Sequence, residues 1–314
     1  MIPTYRPSEH YLRETLGALL AQAPAADRMQ IEVVDDCSPD LDVKAMVASI
    51  AGERVAFHRN DRNLGLADCW NACVQRARGE WVHLLHQDDL VFPGFYAELH
   101  RLISAHPDAG AALTRHSIID ERSAWIQISA LESDRPALLD DWQFKLTTGQ
   151  RLQCPAIVVR RKVYEEVGRF RSDLPYCLDW EMWARIAVSH RVAYTPAILA
   201  GYREHGSSET ARLQEDGSTL RDFITTYRIL EARLPAERRP AARTCFAANI
   251  ATHLVYKIQR FYVNGNYAEA QMLLRCSRFL PLPIIFQNEV NRLRRRLYIK
   301  QWFGRRPDAR GQTS

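Results

Sequence analysis

The sequence lacks any run of about 18 apolar residues, so no membrane-crossing helix is expected. It opens directly on Met1-Ile2-Pro3-Thr4, with no visible secretory signal. Its seven cysteines are odd in number and irregularly spaced. Cys69 and Cys73 stand four apart on an expected helix, but no second pair completes a zinc site. Reduced thiols in a cytoplasmic protein are the expectation. The net charge of +5 comes with no nucleic-acid recognition motif, so nucleic acid is not an expected partner. No internal repeat is convincing, and no composition bias indicates disorder or a fibrous class.

The chain has 314 residues, 46% of them hydrophobic and 25% charged, enough for one large domain or two smaller ones. Its first 110 residues read as alternating strands and helices. Ser8 can cap a helix whose apolar face is Leu12, Leu16, Leu19 and Leu20. Ile31 to Val34 is an apolar strand ending in Asp35-Asp36. Val43, Met46, Val47 and Ile50 repeat at helical spacing, Val55 to His58 is a strand, and Leu66 to Arg78 a helix stopped near Gly79. Trp81 to Leu85 is a strand running into His86-Gln87-Asp88-Asp89, followed by a helix through Phe95, Leu99, Leu102 and Ile103. Ala109 to Thr114 and Ala156 to Val159 are further strands, and Asp179 to Ser189 is a helix. Residues 115 to 150 are expected to be irregular loops facing an acceptor, and Tyr202 to Thr210 a polar loop. From about Ser218 the pattern is helical, broken by Pro235, Pro240, Pro281 and Pro283. Alternation of this kind argues for an open, mainly parallel sheet with helices on both faces. Ligands of such sheets bind beyond the carboxyl ends of the strands. Asp35-Asp36 and Asp88-Asp89 both stand there, so they should share one crevice.

A carboxylate pair after an apolar strand can hold Mg²⁺ or Mn²⁺, hard cations that prefer oxygen ligands. Asp88-Asp89 is such a pair, or else a solvated turn. Asp35 or Asp36 could accept hydrogen bonds from a nucleobase or ribose, or cap the following segment. Asp179, among aromatics at the start of a helix, could act as a general base toward a hydroxyl, or serve as a helix cap. His205 in Tyr202-Arg203-Glu204-His205-Gly206 could ligate a metal or touch phosphate, or simply be solvated.

Taken together these segments resemble the family 2 glycosyltransferases. Ile2-Pro3-Thr4-Tyr5 is similar to that family's opening motif, and Val33-Val34-Asp35-Asp36 to its nucleotide-binding strand end. Asn63-Leu64-Gly65, with Asn71 beyond, resembles the segment beside the donor. His86-Gln87-Asp88-Asp89 resembles the metal motif, Leu178-Asp179-Trp180-Glu181 the motif of the base, and Tyr202 to Gly206 the loop over the diphosphate. The resemblance covers roughly residues 1 to 210. It implies a GT-A, Rossmann-like fold and an inverting, metal-dependent transfer of a hexosyl or deoxyhexosyl group. The donor would be a nucleoside-diphosphate-sugar and the acceptor a hydroxyl on a glycan or lipid-linked glycan, in bacterial surface polysaccharide or glycolipid assembly. On this reading Pro3, Thr4, Tyr5, Arg6, Asp35, Asn63, Gly65 and Asp88 bind the donor. Asp89 and His205 hold Mn²⁺ or Mg²⁺, and Asp179 is the base. The sequence departs from the pattern at Arg6 (usually Asn), and at His86 and Leu178, where acids are usual. Only Met1 and Ile2 precede Pro3, so the first strand is expected to be clipped.

The expected organisation is a catalytic domain over residues 1–215 and a helical extension over 216–314. Arg292, Arg294, Arg295, Arg296, Lys300, Arg305, Arg306 and Arg310 crowd that extension beside Leu293, Leu297, Tyr298, Trp302 and Phe303. This basic amphipathic end is read either as a peripheral contact with the inner face of the plasma membrane or as a solvated basic helix. Two other functions compete. A nucleotidyltransferase should carry a glycine-bearing phosphate loop after strand one, and Thr4-Tyr5-Arg6-Pro7 has no glycine. A degenerate binding module should have lost its acids, and Asp88, Asp89 and Asp179 all remain.

Overall fold

The computed structural model describes residues 1–215 and 218–303. Met1–Leu146 with Gln150–Leu213 form one compact unit; Thr147–Gly149 with the chain from Gln214 onward form a second. In chain order the elements are β1 (Ile2–Thr4), α1 (Glu9–Leu20), β2 (Glu32–Asp35), α2 (Val43–Ala51), β3 (Ala56–Arg59) and α3 (Leu66–Arg76). There follow β4 (Trp81–His83), β5 (Leu90–Val91), α4 (Phe95–Ala105), β6 (Ala109–Ile119), β7 (Trp125–Ile128), β8 (Ala137–Leu138) and α5 (Trp142–Thr148). Next come β9 (Ile157–Arg160), α6 (Arg161–Val167), α7 (Leu178–Ser189), β10 (Arg191–Arg203) and α8 (Glu209–Glu215). The chain closes with α9 (Ser218–Ala232), α10 (Arg239–Val263), α11 (Tyr267–Cys276) and α12 (Ile284–Phe303).

β1, β2 and β3 pair in parallel, with Thr4 opposite Asp35 and Asp35 opposite Arg59. The short first strand is held on its other side too. The Met1 ammonium donates to the His83 carbonyl at 2.9 Å, and the Leu85 N–H donates to the Met1 carbonyl at 3.1 Å. The second set of strands runs β4-β9-β6-β10-β5 and is mixed. β6 and β10 are parallel, whereas β4–β9, β6–β9 and β5–β10 are antiparallel. The three-stranded set is thus all parallel, and the other set is antiparallel apart from its long β6–β10 pair.

Side-chain alternation sorts the layers. Ile2 and Val33 join Leu12, Leu16 and Leu19 of α1, Val43 and Val47 of α2, and Phe95, Leu99 and Leu102 of α4 in one apolar core. α3 packs against β1 and β2, where the Cys69 thiol lies 3.8 Å from the Val34 carbonyl. Burying some ten large aliphatic and aromatic side chains, at roughly 1.5–3 kcal/mol each, fixes the register of these strands.

The stretch from 115 to 150 is more ordered than expected. β6 runs on to Ile119 through the buried His116 and Ser117, β7 folds back on it, and β8 and α5 follow. Tyr202 and Arg203 likewise end a long strand instead of standing in a loop. In the second unit Pro240 sits in the first turn of α10, where proline is tolerated because its missing N–H has no partner to lose. The core of this unit includes Leu230, Leu254, Ile258 and Leu273, with Tyr227 stacked on Phe246 at 4.0 Å. Among the described residues no helix is long and apolar enough to cross a membrane.

Candidate donor and transfer site

The turn after β4 carries the acidic pair, and three elements fix it. The Thr15 hydroxyl of α1, fully buried, donates to the backbone carbonyls of Gln87 and Asp89 at 3.1 and 2.9 Å. The Gln87 side chain pairs with the backbone of Tyr5, accepting from its N–H at 2.8 Å and donating to its carbonyl at 3.1 Å. Arg203, 1% exposed at the end of β10, gives the strongest hold. Its N–H donates to Asp89 Oδ1 at 2.9 Å and its Nε to the Asp88 carbonyl at 2.8 Å. Its Nη atoms reach the Asp120 carbonyl, the Ser123 hydroxyl and Glu14 Oε2, and its guanidinium lies 4.6 Å over the Tyr11 ring. A planar, always-charged fork is the side chain suited to so many directed bonds in a buried place.

Within this frame the two aspartates separate. Asp89 is 1% exposed; Oδ1 faces Arg203 and Oδ2 lies 3.4 Å from His86 Nδ1. Burial raises its pKa. Asp88 faces the other way, its Oδ2 2.8 Å from His205 Nε2, while His205 Nδ1 contacts the Ser207 hydroxyl at 2.9 Å. Asp88, and not the expected Asp89, therefore meets His205, because the Arg203 N–H draws Asp89 inward. Among the described residues no group of three or more His, Cys, Asp or Glu side chains forms a ready metal cage. The Asp88–His205 pair is nevertheless a hard oxygen and an imidazole nitrogen side by side. Magnesium-type sites use one or two protein carboxylates and take their other ligands from substrate phosphates and water.

Asp179, in the first turn of α7, is 9% exposed. Oδ2 accepts from the Gln150 side chain at 2.8 Å, and Oδ1 from the Trp180 N–H at 2.7 Å. Burial pushes its pKa up to about 6, a value suited to a base that must be ionised yet willing to accept a proton. The charges of this carboxylate and of the acidic turn act on the same neighbours. The Tyr202 phenol is raised by burial first and then by the charges of Asp89, Asp88 and Asp179 together. His86, 4.5 Å from the Trp70 ring, acts on both Asp179 and Asp89.

The residues expected to bind the nucleotide lie on β1, β2 and the segment before α3. Asp35 is fully buried: it accepts from the Ser38 hydroxyl at 2.5 Å and pairs with Arg59 Nη1 at 2.8 Å. It reaches a nucleobase only if Arg59, whose side chain is 41% exposed, moves aside. Asp36 anchors the loop that follows, accepting from the Asn60 side chain and from the N–H groups of Leu64 and Gly65 at 2.8, 2.9 and 3.0 Å. The Asn63 amide donates to the Asp36 carbonyl at 3.1 Å. Gly65 has φ +81°, a conformation a side chain would strain. Asn63 and Gly65 thus act as supports of this loop. Asn71 is structural as well, exchanging hydrogen bonds with the backbone of Phe170. Pro3 and Thr4 are buried in the sheet, so of the opening motif Tyr5 and Arg6 present side chains to solvent. Arg6 has φ +46° and its N–H donates to the Ser38 hydroxyl at 2.8 Å, tying this strand end to Asp35. Of the supports, Thr15, Gln87 and Gln150 carry no sequence signal; Arg203 stood in plain view beside His205.

On α12, Val290, Leu293 and Leu297 are buried in the second unit. Of the stripe expected to lie on a membrane, Leu293 and Leu297 are thus used for packing, whereas Tyr298 is exposed. The side chains of Lys300, Trp302 and Phe303, and all of Arg305, Arg306 and Arg310, lie outside the described residues.

Comparison with known proteins agrees with this geometry. The chain matches the model of Glycosyl transferase family 2 over residues 1–168. The succinoglycan biosynthesis protein ExoO of Rhizobium meliloti is 34% identical over 36% of this chain and 30% of its own length. S. aureus TarS 1-349 in complex with UDP-GlcNAc superposes with a TM-score of 0.63 at 14% identity, covering 96% of this chain and 90% of that one. GalNAc-T7 with UDP, GalNAc and Mn²⁺ gives 0.51 at 17% identity, covering 73% and 47%. At those identities the structural likeness is one of fold. The chain spans between 20% and 70% of the length of the curated relatives it matches.

Proposed function

The chain belongs to glycosyl transferase family 2 and has a GT-A fold, and on that premise we propose an inverting transfer of a sugar from a nucleoside-diphosphate donor to a hydroxyl acceptor. The observation that carries the proposal is the contact of Asp88 with His205 at 2.8 Å, which brings the turn after β4 to the end of β10; the buried Asp179 at the start of α7 supports it. The nucleoside lies over Tyr5, Arg6 and the loop anchored by Asp36, with Asp35 behind it. The diphosphate lies toward Asp88 and His205. A bound Mn²⁺ or Mg²⁺ there would neutralise charge on the leaving diphosphate. The Mn²⁺ and UDP named with GalNAc-T7, and the UDP-GlcNAc named with TarS, support both ligands.

Asp179 supplies the proton chemistry. Its carboxylate takes the acceptor hydroxyl proton as that oxygen attacks the anomeric carbon. The bond from that carbon to the diphosphate oxygen breaks with its electron pair leaving on the diphosphate, and a single displacement inverts the centre. Gln150 and the Trp180 N–H hold the carboxylate in place, and His86 adds a favourable charge nearby. The succinoglycan role in ExoO's name supports a polysaccharide or lipid-linked glycan as acceptor. Incubation with a panel of uridine- and thymidine-diphosphate sugars, with and without Mn²⁺, tests the proposal. Metal-dependent release of the nucleoside diphosphate and an inverted anomeric configuration in the product, read by NMR, are expected. Retained configuration would refute the single displacement.

A further inference from the structure

The second unit contains a cavity of about 350 Å³ between α11 and α12. Three arginines line it: Arg275 from the end of α11, Arg278 from the turn that follows, and Arg294 from α12. Leu274 and Leu297 supply an apolar part, and Gln271 and Tyr298 two further polar groups. Among the described residues no carboxylate lines it. Glu289, one helical turn before Arg294's neighbours, is already held by Arg292 and Gln259 at 2.6 and 2.9 Å. Arg294 is fixed in place, its Nη1 donating to Asn291 Oδ1 at 2.9 Å and its Nη2 to the Leu274 carbonyl at 3.3 Å. These bonds leave other N–H groups of the same guanidinium available. Burial and the nearby charge of Arg278 lower its pKa. Three like charges around one concavity repel, and an anion that each can grip removes that cost. Guanidinium forks match phosphate oxygens two at a time.

We propose that this α11–α12 cavity binds a phosphate-bearing anion through Arg275, Arg278 and Arg294. The ligand chemistry is a phosphate ester or diphosphate. It can come from a soluble molecule or from the headgroup of an anionic lipid, and the test separates the two sources.

The full chain is titrated with inorganic pyrophosphate in EDTA, which withholds any divalent ion from the donor site. Vesicle co-sedimentation is run in parallel, with phosphatidylcholine alone and with phosphatidic acid added. Arg275→Gln combined with Arg278→Gln changes two exposed side chains, so its melting temperature should match the parent's. It should lose at least tenfold in pyrophosphate affinity, about 1.4 kcal/mol. Asp88→Ala should bind as the parent does, which keeps this site distinct from the catalytic one. Arg275→Lys with Arg278→Lys, which keeps the charges but not the forks, should fall between. Co-sedimentation with phosphatidic acid that pyrophosphate reverses supports a lipid headgroup. Pyrophosphate binding without co-sedimentation supports a soluble phosphate. Absence of both, or a glutamine variant that binds as tightly as the parent, would overturn the proposal.

Discussion

Asp179 shows how one residue can be costly to the fold and useful to the reaction. Its carboxyl titrates near 6 because burial disfavours its charge, against an ordinary value of 3.8. A carboxyl raised in the folded state costs stability once it ionises. The cost is absent below about pH 4 and complete above about pH 6, and amounts to roughly 3 kcal/mol. Asp179→Asn keeps the shape and removes the charge. It should therefore melt above the parent at pH 8, with the difference vanishing as the pH falls through 6 toward 4, in a pH series of thermal denaturation. The same variant should retain no transfer. In the parent, turnover should fall as the pH drops below about 6, where the base is protonated. A variant no more stable than the parent at pH 8 would mean that the carboxylate is better solvated than its burial indicates.

At the scale of elements, Arg203 does for the site what a cofactor does elsewhere: it gathers separate pieces. It ties β10 to the Asp88-Asp89 turn, to the β6–β7 connection and to Glu14 of α1. Glu14 is 35% exposed and can be rehydrated, but the Asp88 and Asp120 carbonyls would lose their guanidinium donor, and unmade bonds to buried groups cost about 1–3 kcal/mol each. Arg203→Met should lose about that much in chemical denaturation. Arg203→Lys should recover little, since an ammonium cannot span four acceptors. Full recovery by lysine would show that charge alone is what matters. The same strand explains what the sequence hid. β10 contains Pro196 and slips register between Thr195 and Ile198 and again before Ala200, so no period of two runs through it. The buried His116 and Ser117 likewise broke the apolar pattern of β6. α1, β2, α2, β3, α3 and α4 were legible because their apolar residues repeat at the spacing their structure needs. Asp35 and Asp88 stood out because each ends or follows an apolar strand, whereas His205 follows β10, whose pattern was hidden, and was singled out only by the loop it belongs to. Their division of labour was not legible. Whether Asp88 or Asp89 faces outward is decided by one N–H of Arg203, more than a hundred residues away.

For the molecule as a whole, the account depends on distant parts of the chain closing around one diphosphate. The Tyr5–Gln87 backbone clasp joins the two strand ends, and the His205–Asp88 contact joins the β10 terminus to them. The second unit has its own cationic cavity. The most direct test is thermal denaturation with UDP or thymidine diphosphate, with and without Mn²⁺, on three proteins: the parent, Asp88→Ala and Asp179→Asn. At a nucleotide concentration a hundredfold above the dissociation constant, binding stabilises by about 2.7 kcal/mol. The Mn²⁺-dependent part of that shift should be present in the parent, absent in Asp88→Ala and intact in the transfer-dead Asp179→Asn. An Asp88→Ala protein that still gains stability from Mn²⁺ and nucleotide to the parent's extent would contradict the account.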